Sequence, residues 1–579
     1  MKKELKEFLP VWNLLKKEKK ILIISSIIIL FSEITYLFSG YLNGGAIEAI
    51  TNLKIKKALL FLGIYFLLEL IIDGLLYNYA SSKIHEIECK MSKKLGFEAY
   101  KKALNLPAYA YEKTTSGEVI NRITSDTDTL SFTFERLISM IGSTIGSIFL
   151  IFYVFYNSWL IGLEIISFMI ILYIIINEYN PKLKEANKQI REENDKFTSH
   201  VNESIRGIRE IKTLGIKKNL ISELYSITTS LFNKSKKEID IRREYDIIIR
   251  ILKAVLEVGV FVTCVFLLYY KQISLTFFVA MTYYVYRYMW LIENLNEFSK
   301  MYQRIVVSLS RVNEILQNKI YSDEKFGTVN LKNVKGIIEF KNVTFAYPNE
   351  KPLLKNFNLK IEPNKKIAIV GKSGQGKSTL FNLITRIFDP VSGEITLDGI
   401  NIKYLSEDSL RKNISIIRQE PFIFNRTIKN NFKILNKNIS LSKIKEYSKI
   451  AYLDKYIDTL PDKYDTKLGE GGVNLSGGQK QRLSIARSLI KDSKIILFDE
   501  ATSALDNNSQ EYIKRAINNL TKNHTVVIVA HRLSTIIDAD IIYVVDKGKV
   551  IAQGTHNELL TANKVYNKLY ETESLNSKE

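Results

Sequence analysis

A glycine-rich run near position 375 has the residue types and spacing that bind nucleotide phosphates. The run is Gly371-Lys372-Ser373-Gly374-Gln375-Gly376-Lys377-Ser378-Thr379, which has the form G-x-x-x-x-G-K-S. Its glycines let backbone N–H groups wrap around phosphates without Cβ clashes. Lys377 should reach the β- and γ-phosphates, and the Ser378 hydroxyl should ligate Mg²⁺. The run therefore predicts the binding of a nucleoside triphosphate.

A second element for the same chemistry is a pair of adjacent carboxylates, Asp499 and Glu500. The pair follows the apolar run Ile495-Ile496-Leu497-Phe498, so a buried strand would deliver both side chains at its carboxyl end. Asp499 suits Mg²⁺ coordination, directly or through water, and Glu500 can polarise an attacking water as general base. Together with the glycine-rich run, the pair predicts hydrolysis of the bound nucleotide.

The flanking residues predict the strands and helices that hold these groups in place. Ile367–Val370 is typical of a buried strand, and a helical pattern starts at Leu380, so the glycine-rich loop joins a strand to a helix N-terminus. Leu475-Ser476-Gly477-Gly478-Gln479 precedes another helical stretch and predicts a second anion site. Two phosphate sites so far apart in the chain indicate a nucleotide held between two copies of the domain.

These motifs resemble those of the ATP-binding-cassette (ABC) superfamily, for which Leu475–Gln479 is the diagnostic signature. One such cassette behind six apolar spans is similar to an exporter-type half-transporter with the type IV exporter fold. The resemblance implies an α/β P-loop nucleotide-binding domain over residues 336–579. It also implies ATP and Mg²⁺ as cofactors and a second half-transporter as partner.

The resemblance further implies a role for each residue that matches a family motif. Gln419 and His531 would join Glu500 as catalytic residues, by touching Mg²⁺ and by holding the γ-phosphate. Tyr347 would stack on adenine, and Asp506 would contact the opposite cassette. The implied ATP-binding set is Tyr347, Gly371, Lys372, Ser373, Gly374, Gln375, Gly376, Lys377, Ser378, Thr379, Ser476, Gly477, Gly478, Gln479 and Asp506, and the implied Mg²⁺ set is Ser378, Gln419 and Asp499.

Residues 1–316 are predicted to form an all-α transmembrane domain, joined to the cassette by a polar linker over 317–335. Each of its six apolar stretches approaches the ~20 residues that a helix needs to cross a bilayer. The charged loops after spans 2 and 4 show recurring apolar positions, so spans 2–5 are expected to continue as long cytoplasmic helices. The predicted spans are 21–41, 58–80, 138–156, 159–176, 247–270 and 273–292.

Charge asymmetry predicts the orientation of these spans. The two long loops are rich in Lys and Arg, whereas the opposite side has only Lys54, Lys56, Lys57 and Lys271, so both termini are expected in the cytoplasm. Frequent Lys, Ile and Asn suggest an AT-rich bacterial genome, which makes the location a bacterial inner or plasma membrane. The net charge of +21 is explained by these loops and an anion-binding domain, so no nucleic-acid partner is expected. With 2 Cys, disulfide frameworks and structural zinc sites are excluded.

Three acidic residues lie near the middle of spans 1 and 2. Charged side chains inside a membrane are costly and usually face a cavity or a partner. We expect Glu33, Glu69 and Asp73 to line a wet central path that favours cationic or hydrogen-bond-donating cargo. Two alternatives are contacts between helices and a pair between one of the acids and Arg287 of span 6.

The sequence therefore predicts an ATP-driven transporter that exports a peptide, drug-like or lipid-like substrate from the cytoplasm. A lipid flippase and a metal-chelate importer built on the exporter fold are the alternatives. Only residues 1–20 precede span 1, so no leader-cleaving peptidase domain is expected. Every motif that the family uses in its catalytic cycle is complete in this sequence. This favours a homodimer with two competent sites over a heterodimer with a degenerate partner.

Overall fold

A computed structural model of the chain describes two compact units. The N-terminal unit comprises residues 1–106 and 114–322, and the C-terminal unit comprises residues 323–579 with the short segment 107–113. Within the chain, the described residues are 15–108, 110–113, 116–317, 324–348, 350–372, 374–469, 472–499, 507–521, 523–530 and 536–576.

The described part of the N-terminal unit is helical, as the apolar and amphipathic patterns predict. The longest helices far exceed a bilayer crossing: α8 has 48 residues and α10 has 53, so spans 4 and 5 continue as long helices, and the cytoplasmic location of these extensions stays a prediction. The helices up to the linker are α1 (Lys19–Thr51), α2 (Ile55–Leu68), α3 (Asn78–Leu104), α4 (Ala110–Lys113, in the C-terminal unit), α5 (Ser116–Ile123), α6 (Ser125–Ser131), α7 (Phe134–Asn157), α8 (Trp159–Arg206), α9 (Ile208–Leu214), α10 (Lys217–Tyr269) and α11 (Leu275–Leu316).

Five helical stretches in the described residues are long and apolar enough to cross a membrane. They contain the first four predicted spans and all but the last residue of the fifth, 247–270. The sixth predicted span, 273–292, falls in α11, a helix of 42 residues that carries Arg287 inside the span and is not among the five. The number of six spans therefore stays a prediction. The five stretches are Lys19–Thr51, Ile55–Leu104, Gly117–Asn157, Trp159–Arg206 and Lys217–Tyr269.

Span 2 is not a regular α-helix along its length. Between α2 and α3 the chain forms a π-helical segment of 9 residues, Glu69–Tyr77, which holds both Glu69 and Asp73. A hydropathy pattern detects a span but cannot distinguish these two helical geometries, so the sequence did not predict the segment. Such π-segments are rare and occur frequently at functional sites.

The C-terminal unit contains two sheets flanked by helices. A four-stranded antiparallel sheet has the order β2-β1-β4-β5, and a six-stranded sheet has the order β10-β9-β3-β8-β7-β6. The strands are β1 (Ile338–Phe345), β2 (Leu354–Ile361), β3 (Lys366–Val370), β4 (Ser392–Leu397), β5 (Ile400–Asn401), β6 (Ile414–Ile417), β7 (Ile495–Asp499), β8 (Thr525–Val529), β9 (Ile541–Asp546) and β10 (Lys549–Gly554).

The helices of this unit follow the strands and cover the six-stranded sheet, giving the α/β architecture that the sequence predicts. They are α12 (Lys377–Ile384), α13 (Glu407–Asn413), α14 (Ile428–Lys433), α15 (Leu441–Ile450), α16 (Asp454–Asp458), α17 (Gly477–Lys491), α18 (Asn507–Leu520), α19 (His556–Ala562) and α20 (Lys564–Asn576).

The topology of the larger sheet decides where its chemistry lies. Strands β3, β8 and β7 are parallel neighbours, with β8 in the middle. All five residues of β3 are buried, as its apolar run predicts. Because the carboxyl ends of parallel strands meet at one edge, the loop after β3 and the acidic end of β7 come together there.

Candidate functional site

The loop between β3 and α12 needs glycine at particular positions. Gly374 and Gly376 have φ angles of +79° and +86°, a region that residues with a Cβ rarely enter. A Cβ on Gly371 would lie 2.3 Å from the carbonyl oxygen of Val545 on β9. The loop can therefore expose its amide groups only with these glycines.

Lys377 is the first residue of α12 and lies over this loop. Its side chain is buried, and Nζ donates to the carbonyl oxygens of Gly371 at 2.8 Å and Lys372 at 2.9 Å. The ammonium group is thus centred above the glycine-rich turn, next to the positive end of the helix. This arrangement suits a phosphate chain.

Ser378 and Asp499 meet at the edge of the sheet. The Ser378 hydroxyl donates to Asp499 Oδ1 at 2.9 Å, so α12 and the end of β7 present two oxygen ligands side by side. Hydroxyl and carboxylate oxygens are hard donors of the kind that Mg²⁺ prefers. The two residues therefore fit the predicted magnesium site.

Tyr347 contacts the same helix from the antiparallel sheet. Its hydroxyl shares a hydrogen bond of 2.9 Å with Thr379 Oγ1, and its ring packs edge-on against Phe345 and Phe388 with centroids 5.0 Å and 5.2 Å away. These contacts fix the ring beside the start of α12. The predicted adenine contact is therefore held by packing rather than carried on a free loop.

The signature residues form a helix cap. The Ser476 hydroxyl accepts from the Gln479 amide, and the Gln479 side chain accepts from the Ser476 amide at 2.8 Å, a reciprocal capping box at the start of α17. Ser476 and Gly477 are exposed. The amide groups of this helix N-terminus are therefore accessible from outside the unit, as a shared site would require.

Gln419 lies just beyond β6 and is exposed. Its carbonyl oxygen accepts a hydrogen bond of 3.2 Å from Gln481 of α17. This bond connects the segment after β6 to the signature helix. Four other predicted site residues, Ser373, Glu500, Asp506 and His531, lie outside the described residues.

The membrane unit contains an ion pair between spans 1 and 6. Arg287 Nη2 donates to Glu33 Oε2 at 2.6 Å, and Ser139 of α7 donates to Glu33 Oε1 at 2.7 Å. Gly142 and Gly146 of α7 make room for the pair, since a Cβ there would lie 3.1 Å and 3.3 Å from Glu33 atoms. Among the described residues, Glu33 is the predicted path acid that has a cation beside it.

Asp73 and Glu69 lie in the π-helical segment. Ser32 of α1 donates to Asp73 Oδ1 at 2.7 Å, so Asp73 is next to Glu33 in space as well as on the adjoining span. Asp73 is half-buried and Glu69 is exposed. Within the described residues, no ion pair joins either acid to a basic side chain.

A cavity of about 470 Å³ opens in the membrane unit between α7, α8, α10 and α11. Leu172, Ile176 and Ile249 supply apolar wall, while Arg136 and Glu297, which form an ion pair with each other, supply charge. Ser139 and Trp290 also line it, and Trp290 lies 5.3 Å from the Arg287 guanidinium. The cavity wall is therefore in contact with the Glu33–Arg287 pair.

Comparison with known proteins places these sites in a family. Residues 22–291 match the ABC transporter transmembrane region, and residues 354–503 match the ABC transporter family itself. An ATP-dependent lipid A-core flippase of Haemophilus influenzae (strain 86-028NP) is 30% identical over 576 residues, covering 98% of this chain and 97% of that protein. The chain belongs to the ABC transporter family.

Other relatives of this ABC transporter include two more named proteins. The ATP-dependent lipid A-core flippase of Wigglesworthia glossinidia brevipalpis is 32% identical over 477 residues, 81% of each chain. The heterocyst differentiation ATP-binding protein HepA of a Nostoc species is 32% identical over 468 residues, 79% of this chain and 75% of that protein. Among solved structures, a bacterial Atm1-family ABC exporter with ATP bound has a TM-score of 0.77 at 23% identity. The match covers 96% of this chain and 98% of that one.

The family and the exporter fold predicted from the sequence are thereby confirmed. The protein binds ATP, is an ATPase coupled to transport, and is a multi-pass protein of a bacterial membrane. Two features escaped the sequence analysis: the π-helical segment and the contact between Asp73 and Ser32. Ser32 immediately precedes a charged residue inside an apolar span, and that polar dipeptide is the signal that could have revealed the contact.

Proposed function

We propose that this ABC transporter moves an amphipathic, lipid-like molecule with a cationic or hydrogen-bond-donating group out of the cytoplasm. The cavity of the membrane unit carries the proposal, because it combines an apolar wall with charged groups. It also adjoins the polar cluster, which consists of Glu33, Glu69, Asp73 and Arg287. Such a lining suits a cargo that is partly apolar and partly charged. The relatives named as lipid A-core flippases support the lipid-like part.

The charge balance of the polar cluster supports the cationic part. Arg287 neutralises Glu33, whereas Glu69 and Asp73 lie together in the π-helical segment without an ion-pair partner in the described residues. Carboxylates facing lipid would cost several kcal/mol, so a wet path is the cheaper environment. Of the three acids, Glu69 and Asp73 then meet the cargo, and Glu33 anchors spans 1 and 6.

At the ATP site, the predicted residues bind the nucleotide, hold the metal ion or act on the attacking water. Lys377 and the loop amides bind the β- and γ-phosphates, and Tyr347 supports the adenine. Ser378, Asp499 and Gln419 hold Mg²⁺, which neutralises charge on the phosphate oxygens when bound. Glu500 orients and deprotonates the attacking water, and His531 holds the γ-phosphate.

The proposed working form is a homodimer with both termini in the cytoplasm. The exposed cap at Ser476 supports a dimer, because its amide groups are accessible to a nucleotide on another copy of the cassette. Asp506 would contact the opposite cassette. The lysine- and arginine-rich loops after spans 2 and 4 support the orientation.

The cargo proposal is tested with the purified dimer in proteoliposomes. The probes are a quaternary-ammonium amphiphile and its neutral isostere, and the variant is Glu69→Gln combined with Asp73→Asn. Basal ATPase should persist, while stimulation by the cationic probe should fall about tenfold and that by the neutral probe should not. The control is Glu178→Gln, an acid on the cytoplasmic part of α8. Equal stimulation of the variant by both probes, at wild-type level, contradicts the cationic preference.

Direction of transport separates export from import on the same fold. In inside-out vesicles, an exporter accumulates the cationic probe when ATP is added outside. An importer depletes it. A lipid flippase is stimulated by bilayer lipids and moves a labelled lipid between leaflets, which a transporter restricted to soluble cargo does not do.

A further inference from the structure

The polar linker between the two units contains a segment that binds tightly to the cassette. Residues 324–331, here called the strap, pair with the chain around position 405. Gly327 N donates to Leu405 O at 2.9 Å, and Ser406 N donates to Val329 O at 2.9 Å. A Cβ on Gly327 would lie 1.9 Å from the carbonyl oxygen of Tyr404, so only glycine permits this approach.

The ring of Phe326, in the strap, contacts two arginines of the cassette. The guanidinium groups of Arg386 and Arg411 lie 4.9 Å and 5.4 Å from the ring centroid. Arg386 Nη2 also donates to the Lys325 carbonyl at 2.6 Å, and Arg411 lies 3.7 Å from the Glu324 carboxylate. Planar guanidinium groups stack on aromatic faces, so the two arginines and the ring form one rigid contact.

Both arginines lie against the carboxyl end of the phosphate-loop helix α12. Arg386 follows Thr385, the C-terminal cap of α12, adopts a φ of +53° and is 7% exposed. Arg411 of α13 donates to the carbonyl oxygen of Thr385. At its other end, α12 begins with Lys377 and Ser378. A shift of the strap is therefore transmitted along a single short helix to the phosphate ligands.

The strap follows the last helix of the membrane unit closely in the sequence. α11, which contains the sixth predicted span, ends at Leu316, and the strap starts at Glu324. Residues 317–323 can bridge at most roughly 25 Å when fully extended. A short piece of covalent chain thus joins the end of α11 to the strap.

We propose that Phe326 is a positioning residue that couples the end of α11 to the phosphate-loop helix α12 through Arg386 and Arg411. This route follows one covalent chain from α11 to the strap. It rests on ATP-driven transport by the family and not on the nature of the cargo. Loss of the Phe326 ring should uncouple nucleotide trapping from the change in accessibility of the membrane cavity.

The test uses the full-length dimer in nanodiscs with a reporter thiol in the cavity. Cys89, the exposed cysteine, is replaced by Ser, and Lys300, an exposed residue of the cavity lining, is replaced by Cys. The rate of labelling by a water-soluble maleimide is compared without nucleotide and after trapping with Mg²⁺, ATP and vanadate. The amount of trapped nucleotide per chain is measured in parallel.

With the native strap, trapping should change the labelling rate of the reporter. Phe326→Leu should trap nucleotide but reduce this change roughly 2- to 30-fold, the range expected for a residue on a coupling route. Phe326→Trp should restore it, since an aromatic face is present again. Tyr447→Ala is the matched control, because Tyr447 is a half-buried cassette aromatic that stacks on Lys443 at 5.4 Å, away from the strap.

Three results overturn the proposal. The first is an unchanged labelling response in Phe326→Leu with full trapping of nucleotide. The second is a native chain whose labelling rate does not respond to trapping. The third is an equal loss in Tyr447→Ala, which would indicate general destabilisation. Should Phe326→Leu fail to fold, Arg411→Lys decides the question, because lysine keeps the charge but lacks the planar group that stacks on the ring.

A lowered kcat of the basal ATPase at unchanged KM for ATP should accompany the loss of coupling.

Discussion

The hydroxyl of Ser378 donates to the carboxylate of Asp499 at 2.9 Å, although 121 positions separate the two residues in the chain. The contact forms because β3 and β7 flank β8 and end at the same edge of the sheet. The glycine-rich loop and the acidic strand end are thus one site. Four expectations about this site and the units around it can be measured directly.

The first concerns hydrolysis. Glu500 directly follows Asp499, the proposed Mg²⁺ ligand. Glu500→Gln should keep ATP binding while lowering the hydrolysis rate by about 10²–10⁴-fold, the usual effect of losing general-base assistance. ATP affinity and single-turnover hydrolysis are measured on the same preparation. Lys377→Ala is the contrasting variant and should weaken ATP binding itself, since a ground-state phosphate contact is lost. Near-normal turnover in Glu500→Gln removes this residue from the role of base.

The second concerns the shared site. If Ser476 of one chain and Lys377 of its partner serve the same nucleotide, a mixed dimer of Lys377→Ala and Ser476→Ala chains contains one intact site. Mixing the two inactive variants should therefore recover up to about half of wild-type ATPase activity per mixed dimer. Differently tagged chains allow mixed dimers to be isolated. Isolated mixed dimers that are as inactive as either variant alone rule out the shared arrangement.

The third concerns the ion pair of spans 1 and 6. Arg287→Met leaves the Glu33 carboxylate among buried groups without its cation, which should lower the free energy of unfolding by about 3–5 kcal/mol. The double variant Glu33→Gln with Arg287→Met should lose far less than the sum of the single variants. Unfolding in detergent micelles, read as a double-mutant cycle, measures the difference.

A surface pair gives the scale for that cycle. Lys182 and Glu178 on α8 form an exposed pair of 2.8 Å, and removing it should lower the free energy of unfolding far less, because water screens an exposed ion pair. Strictly additive losses at Glu33 and Arg287 would mean that the two side chains do not stabilise each other.

The fourth concerns pH. Lys491, the last residue of α17, donates to the Ile414 carbonyl at 2.7 Å, and burial, aided by nearby Arg411, lowers its pKa to about 8. An unfolded lysine has a pKa of about 10.4. Between these values the unfolded chain binds more protons than the folded one, so the free energy of unfolding should rise with pH.

Lys491→Met should flatten this rise by about 1–3 kcal/mol between pH 8 and pH 10, since one pKa unit corresponds to about 1.4 kcal/mol. Calorimetry of the full chain measures it, with the cassette transition identified by its shift on adding ATP. Lys494→Met serves as control, because Lys494 also donates to a carbonyl, that of Asn523 at 3.0 Å, on the cassette surface. The same slope in Lys491→Met and the wild type contradicts the assignment.

The cassette was predictable because its chemistry is local in sequence. Gly374 and Gly376 have positive φ angles, Lys377 starts a helix, and a buried strand ends at Asp499. Residues adjacent to each of these positions in the sequence predict the local structure. The pairing of Ser378 with Asp499 is different, because it depends on the order of the parallel strands β3, β8 and β7. That pairing was expected from the family resemblance and not from neighbouring residues.

The membrane unit was less predictable because its polar contacts join distant residues. Glu33 could have faced water, a neighbouring helix or a cation, and only the packing of α1, α7 and α11 brings it to Arg287. Phe326 lies in a stretch that reads as a polar linker, and its role depends on two arginines more than fifty positions away. Hydropathy carries no information on either choice.

The π-helical segment of span 2 also sets the rotational phase of everything after it. Each residue of a π-helix turns less about the axis than a residue of an α-helix, so the faces of α3 are rotated from where an α-helical Glu69–Tyr77 would leave them. Glu88, which accepts from the Phe134 and Glu135 amides at the start of α7 at 2.9 Å and 3.2 Å, reaches them in this phase. The geometry of this segment, and not only its length, therefore decides where Glu88 lies. Rewinding Glu69–Tyr77 as an α-helix of the same length would swing Glu88 away from the amides that it caps.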